Sequence, residues 1–191
     1  MAGELVHETA PAPLTPDRLS RVRFGFAVFL LTDAMLFLTL YATRFALAGT
    51  GHPAELNQVV GLALTLLMWL SLVPALWALR AGGRGDTRTL VGSLLVVILL
   101  GVLMLVGIAA DWWQLDLPGG GRSRFGGIFY TTLAIHALHM LGGLAVLAGV
   151  AVASARGRLA PRSSYLAEGA VLFWIFVVAG WVVLYAVFYL A

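Results

Sequence analysis

Asp33, His136 and His139 are the residues of this chain whose types and spacing could do chemistry. Each sits inside an apolar run: Asp33 in FGFAVFLLTDAMLFLTLYA, the two histidines in GIFYTTLAIHALHMLGGLAVLAGVAVA. An ionisable group at bilayer depth costs about 2.5–3.5 kcal/mol on insertion scales, so it marks a function or a buried partner. Spaced i, i+3, the histidines share one face of a helix. Three chemistries suit such a set: metal or haem ligation, a proton relay, or a hydrogen-bonded pair that fixes helix packing. A bis-histidine haem takes its ligands from opposite sides, usually from two helices, whereas His7 and His52 fall in a tail and a loop. A transition-metal site wants three or more placed ligands and a supporting shell. One carboxylate and two imidazoles make a short relay, not a path across a bilayer. The expected role is therefore structural, with no metal or cofactor held by this chain and no catalytic residue.

The elements that must position these groups are membrane helices. Of 191 residues, 61% are hydrophobic and 11% charged, against about a quarter charged in soluble domains. The mean hydropathy is +0.95. Five stretches reach the ~20 apolar residues a spanning helix needs: about 21–48, 57–80, 88–113, 125–154 and 163–190. Pro53, Gly82–Gly83, Gly119–Gly121 and Pro161 punctuate the connections. Residues 1–20 are polar, contain prolines and lack an apolar signal core, so a flexible cytoplasmic tail is expected there. The fold class expected is an all-α integral membrane protein of five transmembrane helices. At 1.5 Å per residue, Asp33 and His136 each lie roughly 16–18 Å from opposite faces, near the midplane. They can meet if helices one and four are neighbours.

All twelve basic residues are arginine. Nine lie on one side of the expected topology: Arg18, Arg21, Arg23, Arg80, Arg84, Arg88, Arg156, Arg158 and Arg162. The other side holds Arg44, Arg122 and Arg124. The positive-inside rule places the larger set in the cytoplasm, with the N-terminus inside and the C-terminus outside. This scatter of arginine through short loops fits topology rather than nucleic-acid binding, despite the net charge of +3. With no cysteine, disulfides, thiolate metal sites, iron–sulfur clusters and a cysteine nucleophile are excluded. No phosphate loop, dinucleotide fingerprint, serine triad or zinc-protease motif occurs. Asp111, Trp112, Trp113, Trp174 and Trp181 are expected as interfacial anchors. Glu168, about one turn inside helix five, is expected to cap, to pair with an arginine or to meet a lipid head group.

Four segments together resemble one family. Arg23-Phe24-Gly25-x-x-x-Phe29-x-x-Thr32-Asp33-x-x-x-Phe37 resembles the R-[YF]-G-x-x-x-F-x-x-S-E-x-x-F-F motif of haem–copper oxidase subunit III. Gly127-x-Phe129-Tyr130-x-x-x-x-x-His136-x-x-His139-x-x-x-Gly143 is similar to that family's S-x-F-[FY]-x-x-T-G-x-H-G-x-H-V-x-x-G motif. Leu100-Gly101 followed by Asp111-Trp112-Trp113 resembles its L-G-x9-E-[YW]-[YW] helix end. Glu168, Phe173-Trp174 and Trp181 keep the register of E-x4-Y-W-H-F-V-D-x-x-W. The five-helix count matches the short bacterial form, which lacks the first two helices of the seven-helix form. Departures are Asp33 for glutamate, Leu133-Ala134 for T-G, Ile108 for glutamine, and Ile175 and Val178 for the helix-five His and Asp.

The resemblance implies a multi-pass protein of the bacterial cytoplasmic membrane and a hetero-oligomer without nucleic acid. Its partners would be catalytic subunit I of a terminal oxidase and subunit II. It would pack on subunit I, bind phospholipid, and support assembly, proton uptake and sustained turnover. Haem and copper would reside in partner subunits. Asp33, His136, His139 and Glu168 would be the surviving residues of a buried polar network and lipid cleft. The alternatives are an accessory subunit of a nitric-oxide reductase and, from a different class, a stand-alone transporter, for which broken helices and internal repeats are wanting.

Overall fold

In a computed structural model, residues 15–158 and 164–191 are described. Five helices follow one another: α1 Pro16–Ala48, α2 Gln58–Arg84, α3 Thr87–Gln114, α4 Arg124–Ala155 and α5 Ser164–Tyr185. All five are long and apolar enough to cross a membrane, and no strand occurs among the described residues. The all-α, five-span expectation therefore holds.

Local chemistry sets the boundaries. The Thr15 hydroxyl accepts from Arg18 N–H at 3.4 Å, and Pro16 opens the helix, where its missing N–H is no loss. The helix thus begins at Pro16 rather than 21, and residues 16–20 of the expected tail are its first turn; residues 1–14 lie outside the described residues. Asn57 caps α2 through Val59 and Val60 N–H. Asp86 caps α3 through Thr89 N–H at 3.0 Å, directly after left-handed Gly85 closes α2. Ser123 caps α4 through Gly126 N–H at 3.0 Å. The α5 helix closes in a wider π-type turn, Ala186–Leu190. The connection carrying Pro161 and Arg162 lies outside the described residues.

Helix α2 packs along α3 and α5, α3 along α4, and α4 along α5, which closes a four-helix bundle; α1 lies outside it against α4 and α5. Two tryptophans expected at the membrane interface are instead the bundle's centre. Trp174 and Trp181 are buried; their indole N–H groups donate to Ser71 Oγ and Thr65 Oγ1 on α2, each at 3.0 Å. Indoles are drawn inward here because α2 supplies hydroxyls at the matching depth, so the buried N–H is satisfied. Gly101 makes room for the first of them: a Cβ there would lie 2.6 Å from both Trp174 Cη2 and Leu144 Cδ2. Trp113 is exposed, as an anchor would be, and Trp112 lies 5.2 Å from the Tyr130 ring. Asp111 faces inward to Tyr189 Oη at 3.4 Å.

Candidate functional site

The ionisable residues at depth gather on the seam between α1 and the α4–α5 pair. Asp33 projects from the middle of α1, and its Oδ1 lies 3.0 Å from His139 Nε2. It is His139, one turn nearer the cytoplasmic end expected for α4, that meets Asp33. His136 does not. The other imidazole nitrogen, His139 Nδ1, is 2.7 Å from the Ile135 carbonyl. A carbonyl only accepts, so Nδ1 carries a hydrogen. One further proton is then shared between Nε2 and the Asp33 carboxyl. The pair is neutral overall whether it is written as carboxylate with imidazolium or as carboxylic acid with imidazole. That neutrality is what makes a carboxyl tolerable at this depth.

Phe37, one turn along α1 from Asp33, sets its ring edge-on to His139 at 5.0 Å and to His136 at 6.3 Å. A turn further, the Tyr41 hydroxyl donates to the Gly180 carbonyl on α5 at 2.8 Å. His136 is wholly buried between α1 and α5, with the Trp181 ring 5.4 Å away. Neither of its nitrogens has a hydrogen-bond partner among the described residues, and neither does Asp33 Oδ2.

Two further features complete the seam. At one end, Arg23 Nη2 and Glu168 Oε2 pair at 2.7 Å. They sit on the wall of a crevice of about 570 Å³ between α1, α4 and α5, otherwise lined by Tyr165 and by apolar groups such as Phe26, Leu30, Val146 and Phe173. At the other end, Arg44 is fully buried. Its guanidinium donates to the Gly49 carbonyl and, at 2.6 Å, to the Gly51 carbonyl, and it lies 4.7 Å from the Phe125 ring centre. Arginine counting places Arg44 only on the outer side, at the end of the expected first helix. Its position four residues inside the helix end, just ahead of two loop glycines, is the signal that it turns back to tie the loop.

The structure thus joins Asp33 to His139 and Glu168 to Arg23, and sets His136 apart. No group of three or more Asp, Glu, His or Cys residues among the described residues is placed to hold a metal ion. The arrangement can hold α1 against the bundle and leaves a mostly apolar crevice, with the Arg23–Glu168 pair on its wall, at one end of the seam.

Comparison with known proteins gives a consistent result. The family model for cytochrome c oxidase subunit III matches residues 15–191. A probable cytochrome c oxidase subunit 3 of Nocardia farcinica is 24% identical over 181 residues, covering 91% of this chain and 89% of that one. The cytochrome c oxidase subunit 3 of Corynebacterium diphtheriae is 28% identical over 183 residues with the same coverage. A cytochrome bo(3) ubiquinol oxidase subunit 3 of Pseudomonas putida is 28% identical over 173 residues, covering 87% and 84%.

Proposed function

This chain belongs to the cytochrome c oxidase subunit III family, and from that premise we propose how it serves as an accessory subunit of a haem–copper oxidase in the bacterial inner membrane. It packs on the catalytic subunit I, with subunit II as a further partner, and supports assembly, proton uptake and sustained turnover. Haem and copper belong to those partners. The N-terminus faces the cytoplasm and the C-terminus the outer side, the arrangement favoured by the arginine distribution.

The observation that carries this reading is the extent of the family match, which takes in every membrane helix from residue 15 to 191. Relatives named for cytochrome c oxidase and for quinol oxidase both appear, so the electron donor follows from the partner rather than from this chain. The crevice supports a lipid role. Its walls are apolar enough for acyl chains, and Arg23 and Glu168 at its edge present both signs of charge to a head group. Asp33 and His139 then act as the clasp that keeps α1, one wall of that crevice, in place.

The test is purification of the tagged full chain in mild detergent, with an optical spectrum and identification of co-purifying subunits. The expected result is haem and copper in a large partner, with none left on this chain after dissociation. A colourless chain that purifies alone would overturn the reading. A partner that turns over nitric oxide and not oxygen would move it to the reductase alternative.

A further inference from the structure

His136 is the one ionisable side chain of the seam that nothing in the described chain explains. A neutral imidazole has one N–H donor and one acceptor nitrogen. Here both are buried without a protein partner, a condition that costs about 1–3 kcal/mol for each group left unmet. The neighbouring polar groups are already engaged. Trp181 Nε1–H donates to Thr65, and the Thr132 hydroxyl donates to the Ile128 carbonyl. Ile175 and Val178 bring no polar group from α5.

Beside this ring, however, the packing is open. Apart from its chain neighbours and its own helix backbone, a Cβ built on Gly180 would meet one atom within 4 Å, His136 Nδ1 at 3.8 Å. A methyl-sized space therefore adjoins the unpartnered nitrogen. A second polar group reaches the same residue, since the Tyr41 hydroxyl bonds the Gly180 carbonyl at 2.8 Å, and its oxygen keeps a lone pair free. A space of one heavy atom beside an imidazole nitrogen suits a small ligand that can donate to that nitrogen or accept from it. Water has that size and that chemistry, and buried waters typically serve such otherwise unmet groups. We infer that Gly180 is kept small to seat a structural water on His136 Nδ1, where α4 faces α5 at the depth at which direct side-chain pairing stops.

The sign of one substitution tests this. Gly180→Ala pushes a methyl into the space the water needs, at ordinary van der Waals distance from His136 Nδ1. If the space merely lacked packing, alanine would fill it and also favour the helix by up to about 1 kcal/mol. With a water seated there, Gly180→Ala lowers the Tm of the full chain in nanodiscs by about 2–6 °C. In a His136→Leu background, where no water is needed, the same change raises the Tm. An equal shift in both backgrounds, of either sign, overturns the proposal and leaves the imidazole resting against the rings of Phe37 and Trp181. Should His136→Leu fail to fold, infrared spectra in H₂¹⁶O and H₂¹⁸O decide: an isotope-sensitive O–H band of a strongly bound water, lost in Gly180→Ala, supports the site. A band absent from the wild type or unchanged in Gly180→Ala overturns it.

Discussion

The clasp between Asp33 and His139 is a neutral pair with a fixed tautomer, and its response to substitution follows from that. With Nδ1–H committed to Ile135, Nε2 can accept from a carboxamide as it can from a carboxylic acid. Asp33→Asn is expected to keep the bond and shift the unfolding temperature of the detergent-solubilised chain little. Asp33→Leu leaves Nε2 unpaired and should cost about 1–3 kcal/mol; equal losses in the two variants would contradict the assigned tautomer. That Asp33, His136 and His139 would lie within membrane helices was legible in the sequence, because ionisable groups inside apolar runs stand out. Which histidine pairs with Asp33 was not. Neighbouring turns differ by only ~5 Å along the axis, less than the uncertainty in where two separate helices begin. That the Arg44 side chain turns back onto the Gly49 and Gly51 carbonyls was not legible either, since composition counts a charge without knowing which way its side chain folds.

At the scale of elements, contact between helices is governed by where small residues meet rigid or soft neighbours. At Gly126 an added Cβ would lie 2.1 Å from the Gly120 carbonyl oxygen, which is backbone and has little room to retreat. Gly126→Ala is expected to displace the α3–α4 loop and cut the yield of folded chain severely. Gly142→Ala meets nothing within 4 Å and should leave stability level or slightly raised; thermal unfolding of the pair checks the contrast. The α3 cap adds a pH dependence. Hydrogen bonds from Thr89, side chain and backbone N–H, hold the Asp86 carboxyl below its usual value. A carboxyl depressed in the folded state contributes stability above its unfolded pKa, and the contribution fades as pH falls through the lowered one. Asp86→Asn keeps a capping oxygen at every pH and should flatten the acid limb of the chain's stability profile. Helix count and the punctuating glycines and prolines could be read from hydropathy. The burial of Trp174 and Trp181 could not, because aromatic residues favour both interfaces and cores until a partner hydroxyl such as Ser71 or Thr65 is located.

For the whole molecule, sidedness is open to direct measurement because the chain has no cysteine of its own. Single cysteines in place of exposed His52 and Arg158 should label oppositely with a membrane-impermeant maleimide: His52→Cys in intact cells, Arg158→Cys only after permeabilisation. The reverse pattern would invert the topology. A second property of the whole is the order in which its parts become available. Of the five helices described, α1 is made before the others, touches neither α2 nor α3 to any extent and rests on α4 and α5. The residue that clasps it, His139, follows Asp33 by 106 positions. At about 5–20 residues per second of synthesis, the interval is on the order of 5–20 seconds. Throughout that time α1 waits for the helices of this chain that it rests on, so the clasp closes only once α4 has been made.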